Sequence, residues 1–549
     1  KPGGRPSKAL SLAISLHQAK QLPRAEALYR QILASNPQHV DCLHNLGMLL
    51  FQAGRPDEAI ALLERAALAA PTSKEIGNTL VNMLGNLRRH EQAIIALRRM
   101  IVADPTDVSA YNNLGTLFHE QGKLAEAAEA YERALELDPA LTPAHANLGA
   151  ALMGLGRIGG ALVHFRAAAD LRPEDAGLQR SLGAALGAAG DNESALTAFD
   201  RALALAPEVP EAHYGRGEIL VGLERHEQAV EAFNRAIELK PGYAEALSDL
   251  GVSLQQLGRT TDALAAYRKA VAANPRLAEA HANLGAALRI AGALGEAAEC
   301  LEKAIALDPE QAEAHATLAG VLRDQGRLDE ALAGYRRALA LNPGLLEAHN
   351  NLLMAMHYHP GLGQDAIFQE YGRWHARHAA PIAQRHDNPP LAIGADGRVR
   401  VGMVSADFRR HPVGYFMAGA IEHLDRRIFD VVLYSNSVKE DDLTARFRAA
   451  ATEWVPVAAM GDDALADRIR RDRIHILLDL SGHTRGNRLM VFARRPAAIQ
   501  VLAGGFFDTT GMDAMDYIIS DDVETPSGAE RWFSEQVVRM PDGYISYDP

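Results

Sequence analysis

Ten prolines stand in strict 34-residue register: Pro37, Pro71, Pro105, Pro139, Pro173, Pro207, Pro241, Pro275, Pro309 and Pro343. Other positions keep the same step. Gly47, Gly115, Gly149, Gly183, Gly217, Gly251 and Gly285 follow their prolines by ten residues. Alanine recurs from Ala25 and Ala59 through to Ala331, and four residues later come Tyr29, Tyr131, Phe165, Phe199, Phe233, Tyr267 and Tyr335. A fixed period of this length means a repeated supersecondary unit. Each period holds two amphipathic stretches, such as 144–155 and 158–171, with Gly156 in the turn between them. Small residues let the two helices approach, an aromatic fills the space beside them, and proline stops the second helix because it has no N–H to donate. One such pair cannot bury its apolar face alone, so neighbours must stack into a superhelix.

The register resembles a tetratricopeptide (TPR) array of about ten repeats over residues 8–345. In such arrays the first helix of each pair faces the inner surface. Eight residues after the proline this helix carries Asn45, Asn113, Asn147, Asn283 and Asn351, replaced by Thr79, Ser181, Gly215, Asp249 and Thr317 in the other repeats. An amide offers both donor and acceptor, so a column of them suits an extended peptide of any sequence, and these asparagines are the expected acceptor-binding residues. Two residues earlier stand Tyr111, His145, His213, His281, His315 and His349. They come one per repeat, without the i, i+4 spacing of a helical metal site, and read as packing and surface residues.

The period ends after Pro343. One more helix through Asn350 and Met354, a break at Pro360-Gly361 and a stretch 364–379 containing Trp374 lead to the linker residues Asn388-Pro389-Pro390 and 394–397, so 346–397 reads as a helical linker. From Arg398 the pattern changes. Apolar runs at 399–405, 429–435, 474–480, 499–502 and 517–519 alternate with helical stretches at 413–424, 442–450 and 463–471. That alternation predicts an α/β Rossmann-like lobe over 398–549, with a parallel sheet covered on both faces. Ligands of such sheets sit in the loops beyond the C-terminal strand ends. The unusual residues fall in those loops, at Ser405–Pro412, Ser481–Gly486 and Gly504–Gly511. No Walker loop and no Gly-x-Gly-x-x-Gly spacing is present.

These segments carry a second resemblance. The strand at 399–405 with Asp407-Phe408 and His411-Pro412, Phe492–Ala497, Asp508–Gly511 with Met515–Ile518, and Phe533-Ser534-Glu535 with Arg539-Met540-Pro541 together resemble the O-GlcNAc transferase and SPINDLY family. In that family TPRs precede a two-lobed glycosyltransferase of GT-B fold. The resemblance implies transfer of a sugar from a nucleotide-sugar, UDP-GlcNAc or GDP-fucose, to Ser or Thr of proteins, with no metal and no cofactor beyond the donor substrate. It assigns the catalytic or acceptor-orienting role to His411, the residue type most often used as a general base. It places Gly505, Thr509, Thr510 and Gly511 at the donor, with backbone N–H groups of 509–511 facing the sugar or diphosphate. His483 is expected to line the acceptor site. Asp508 would set a carboxylate beside an anionic donor, which puts the donor's identity in question.

The residues from Arg398 onward suffice for one Rossmann-like lobe, the N-terminal half of a GT-B fold; the donor-binding C-terminal lobe is expected to be missing. The other function class that fits is a TPR adaptor whose lobe is noncatalytic. Composition narrows the partners. A net charge of −13 argues against nonspecific nucleic-acid binding. No apolar run approaches the roughly 20 residues needed to span a bilayer. The two cysteines, Cys42 and Cys300, suit a reducing cytoplasm. The expected partners are acceptor proteins in the TPR groove and a nucleotide-sugar if a second lobe is present, with no nucleic acid and no membrane; a homodimer is left open.

Overall fold

The computed structural model describes residues 8–383, 393 and 397–543, so the linker residues 388–390 and 394–396 and the chain end lie outside the described residues. The chain divides into two compact units, Lys1–Arg259 and Thr260–Pro549.

The first unit is a run of helix pairs. Thr142–Gly154 and Ile158–Leu171 show how each pair is made. Gly156 sits in the left-handed region at φ 71°, which glycine enters without steric cost. Its N–H donates to Met153 O while the Arg157 N–H reaches back to Leu152 O, closing the helix end with a Schellman motif. The second helix of the preceding pair, Leu124–Leu137, ends at Asp138, whose own N–H still bonds Ala134 O, and Pro139 comes next. The periodic residues meet as the sequence requires. A Cβ on Gly115 would lie 2.6 Å from Tyr131, on Gly217 2.4 Å from Phe233, and on Gly183 2.9 Å from Phe199. Every alanine of the 34-residue series from Ala25 to Ala331 is fully buried, and the aromatic rings beside them are buried too.

Most of the recurrent histidines have a local task. His145 donates through Nε2 to Pro139 O at 3.0 Å, His213 to Pro207 O at 2.8 Å, His281 to Pro275 O at 3.0 Å and His315 to Pro309 O at 3.1 Å. They tie each repeat's first helix to the turn before it. Among the described residues no group of three or more His, Cys, Asp or Glu could hold a metal ion, and no helix is long and apolar enough to cross a membrane.

The second unit begins with further pairs of the same kind and continues through Leu346–Tyr358 and Gln364–Trp374, where a π-helical turn, His375–Ala379, ends the helical part. A seven-stranded parallel sheet comes after it: β1 Val399–Ser405, β2 Phe429–Ser435, β3 Glu453–Pro456, β4 Ile476–Asp479, β5 Ile499–Leu502, β6 Tyr517–Ser520 and β7 Gln536–Arg539. The order is β3-β2-β1-β4-β5-β6-β7, with every neighbour parallel. The sequence pattern finds the inner strands and misses β3 and β7, the two edges. Each is four residues long, and neither has a continuous apolar run.

Two cores sandwich the sheet. Phe408, Val413, Ile421 and Phe447 pack on one face. On the other, Ile469, Phe492 and Met515 join a single buried cluster with Tyr335, Leu352, Tyr371 and Trp374 of the helical part. The last repeats and the lobe therefore share one hydrophobic core. Polar bonds reinforce it: Gln364 Nε2 donates to Asp508 Oδ2 at 3.0 Å, and the Trp532 indole N–H to Asp365 at 2.7 Å.

Candidate active site

The strand order reverses between β1 and β4, and at such a switch point the loops leaving the two strands diverge and open a crevice. The loop after β1 runs to His411, the N-cap of the Pro412–Glu422 helix. His411 Nδ1 lies 3.4 Å from the Val413 N–H and 3.6 Å from Asp407 Oδ2. Its side chain is 38% exposed, and Nε2 has no partner among the described residues. The two neighbours of Nδ1 ask for opposite tautomers. An accepted Val413 N–H leaves the proton on Nε2, whereas donation to Asp407 leaves a lone pair there. Asp407 is itself buried and held by the Arg409 guanidinium at 3.3 Å. Gly414 allows the turn: a Cβ there would lie 2.1 Å from Arg409 O.

The loop after β4 is held from beneath by Asp479, which accepts the Ser481 and Gly482 N–H groups at 3.2 and 2.7 Å. Burial of this carboxyl pushes its pKa up to about 7. Asn436 Nδ2 donates to Gly486 O, and Gly486 packs against Ala406, so the loops after β4 and β1 are neighbours.

His483 is fully buried. Its Nε2 donates to Thr510 O at 2.9 Å, Nδ1 lies 3.2 Å from Asn350 Oδ1, and the Trp374 ring stands edge-on at 4.5 Å. Burial pushes its pKa down to about 3, so it stays neutral and holds the lobe to the last repeat.

The turn after β5 departs from expectation. The Thr509 N–H donates to Asp508, the Thr510 N–H to Glu535, the Gly511 N–H to Thr509 Oγ1 and the Met512 N–H to Thr510 Oγ1. Thr509 Oγ1 adds a 2.6 Å bond to Glu535. In place of facing a diphosphate, these amides are spent on a buried carboxylate and its neighbours. Gly511, at φ 71°, brings the backbone against Tyr371, and Gly505 lies where a Cβ would strike Leu480 O. Both glycines thus answer to close packing. Asp508 likewise turns inward, to Gln364 and to His357 at 3.2 Å, and burial raises its pKa to about 6.

A cavity of about 820 Å³ opens where the last repeats meet the loop after β4, lined by Arg289, Arg323, Asn351, Tyr358, Thr484 and Arg485 among others; His483 forms part of its wall. Asn351 accepts from Arg323 Nη1 at 3.1 Å. Asp324 bridges Arg289 at 2.8 Å and Arg323 at 3.0 Å. Burial alone would raise its pKa, but the two guanidinium bonds outweigh that and hold it low. Asn283 lines a separate hollow with Gln311 and Thr317. Asn45 spends its Nδ2 on Asp41 O of its own helix, while Asn113 and Asn147 are half-buried on theirs. The cavity arginines escape a reading confined to the asparagine position. Their signal was present in the register: fourteen residues after the proline, Arg289 and Arg323 stand where earlier repeats carry Phe51, Gly85, His119, Met153, Gly187, Val221 and Gln255, none of them cationic like arginine.

Comparison with known proteins agrees with this geometry. The description Glycosyl transferase family 41 matches residues 378–548, and tetratricopeptide descriptions match six stretches including 16–84, 181–244 and 288–355. Residues 378–548 are thus similar to glycosyl transferase family 41, and the helical repeats before them to tetratricopeptide repeats. A probable UDP-N-acetylglucosamine–peptide N-acetylglucosaminyltransferase SPINDLY of Oryza sativa subsp. japonica is 33% identical over 205 residues, 36% of this chain and 22% of that protein. A probable enzyme of the same description, SEC of Arabidopsis thaliana, is 34% identical over 189 residues, 33% of this chain and 19% of that protein. The chain thus matches only about a fifth of the length of these curated relatives. Among solved structures, a Thermobaculum terrenum O-GlcNAc transferase mutant superposes with a TM-score of 0.51 at 35% identity, covering 55% of this chain and 58% of that one.

Proposed function

We propose that this chain acts as a family 41 glycosyltransferase in protein O-glycosylation: a sugar passes from a nucleotide-sugar, UDP-GlcNAc or GDP-fucose, to a Ser or Thr hydroxyl of a polypeptide held by the repeats. The observation that carries the reading is the shared cavity. There the ladder residue of the last repeat, Asn351, faces the same space as Thr484 and Arg485 from the β4 loop, beside the β1/β4 switch point. A peptide laid against Asn351 is thereby led towards the loops that carry His411. In this reading His411 presents Nε2 to the acceptor hydroxyl. Donation of its Nδ1–H to Asp407 supplies the lone pair that a weak oxygen nucleophile needs.

The test is label transfer to a Ser/Thr peptide, from each donor separately, by this chain and by any longer product its gene encodes. With an active protein, His411→Ala lowers kcat by about a hundredfold or more, whereas Asn351→Ala acts mainly on the KM for peptide. A second reading, a docking scaffold, is favoured by one observation: the amides of 509–511 are already engaged by Glu535 and its neighbours. Retained peptide binding with transfer of neither sugar would establish that reading instead.

A further inference from the structure

The outward positions of the array's second helices follow a rule that one pair of repeats breaks. At the register position of Ile95 the other repeats carry Ala61, Glu129, Val163, Thr197, Glu231, Ala265, Glu299 and Ala333. At that of Val102 they carry Leu68, Glu136, Asp170, Ala204, Glu238, Ala272, Ala306 and Ala340. Charged or small residues suit water there, and outside one pair of repeats Val163, 64% exposed, is a single isolated departure. In the Pro56–Ala69 and His90–Ala103 helices, large apolar groups stand instead: Leu68 is 66% exposed, Ile95 50% and Val102 83%.

A groove of about 630 Å³ runs between them, floored by the intervening Lys74–Asn86 helix. It has an identifiable origin. Gly77 occupies the register position where other repeats carry Tyr111, His145, Gln179, His213, His281 or His315. In most of those repeats this side chain bonds to the carbonyl of the proline six residues earlier, closing the turn. Gly77 has no such side chain, Met100 packs against it, and the space beside Pro71 and Ser73 stays open. The groove's far wall carries Arg98 and Arg99, both exposed and without an ion-pair partner among the described residues. Arg89 and Arg55, by contrast, are held by Asp57 and by Glu26 and Glu58.

We propose that this groove is a docking site for an amphipathic helix of a partner protein, one with an apolar stripe flanked by acidic residues. Helix-in-groove recognition seats apolar anchors at i, i+3, i+4 and i+7, matching a hydrophobic channel between two helices. The charge settles the flanks: carboxylates on the occupant meet Arg98 and Arg99. It also disfavours a second copy of this chain. A two-fold contact would set each patch against itself and bring the arginines face to face. The array's own acidic helices, such as Leu124–Leu137, already bury their apolar side.

The test uses a fluorescent synthetic helical peptide with leucines at i, i+3, i+4 and i+7 and glutamates on both flanks, titrated into the whole chain. A twin peptide carries lysines in place of the glutamates. The double variant Ile95→Glu with Val102→Glu installs the residues that Glu129 and Glu136 already show the array tolerates. Circular dichroism melting checks that it folds. The expected result is saturable binding of the glutamate peptide, weakened at least about tenfold by the double variant and by Arg98→Glu, and at least about tenfold weaker for the lysine twin. Equal affinity for the two peptides, no saturable binding at millimolar peptide, or an unaffected double variant overturns the proposal. So does a sedimenting dimer of the unmodified chain that the double variant dissociates, since that makes a second copy the occupant.

Discussion

The histidine six residues after the repeat proline can be followed from the middle of the array to its end, and the two places use it differently. His213 bonds to the carbonyl of its own turn. His349, at the same register position in the last repeat, is wholly buried between His378 at 2.9 Å and Glu370 at 3.1 Å. The next residue, Asn350, takes the Trp374 N–H at 2.8 Å and lies against His483 of the lobe. Fourteen residues after the proline, His357 turns to Tyr371 and Asp508. A register position therefore defines a direction on a helix, and what lies in that direction defines the task. Inside the array it is the turn before the helix; at its end it is the Gln364–Trp374 helix and, for Asn350 and His357, the lobe.

The sharpest way to break this contrast is Trp374→Ala. It removes a fully buried ring and the partner of Asn350, and should cost about 3–5 kcal/mol in the second unit, leaving the first unit's unfolding unchanged. Denaturant melts followed by probes in each unit read the difference. Next comes the histidine pair itself. His349→Ala removes a fully buried ring together with its bonds to Glu370 and His378, for about 2–3 kcal/mol, whereas His213→Ala loses one exposed bond and about 1 kcal/mol or less. Equal losses would refute the distinction.

Acid should expose the same contrast more gently. Burial pushes His357 and His378 down to about 4 and His483 to about 3. A histidine with a depressed pKa contributes stability that is complete above its unfolded value of 6.5 and is lost as pH falls toward the folded one. Asp479 and Asp508, raised by burial to about 7 and about 6, work the other way, because the penalty for ionising them is relieved in acid. Three deep histidine shifts outweigh two carboxyl shifts. The second unit's melting temperature should therefore drop between pH 6.5 and about 4, further than the first unit's, in calorimetric scans. The smallest effect concerns the turns. Glu224 holds φ 56° where most other repeats place glycine, so Glu224→Gly should stabilise the first unit by about 0.5–1 kcal/mol.

Much of the architecture was legible in the residues. The 34-residue period identifies the helix pairs, the glycine–aromatic contacts and the turn glycines, because each depends on neighbours a fixed distance along the chain. The inner strands and the loops after β1, β4 and β5 were also readable, since apolar runs and their interruptions are local. The roles of Thr509, Thr510 and Gly511 were not. Glu535, which takes up their hydroxyls and an amide, lies more than twenty residues away and comes close only because β6 and β7 pair beyond β5. His483 reads as a loop residue facing a ligand, yet Trp374, over a hundred residues earlier, encloses it.

The sequence by itself determined a repeating helical array followed by a parallel α/β lobe, with His411 after the first strand, because periodicity and strand patterns are set by short-range sterics and by which face turns apolar. Tertiary structure alone decided that the last repeat and the lobe share one core, that the amides after β5 are spent on Glu535 and its neighbours, and that Arg323, Asn351 and Arg485 share one cavity. Those outcomes rest on which side chains remain unsatisfied when distant segments exclude water together, and no fixed spacing along a chain encodes that.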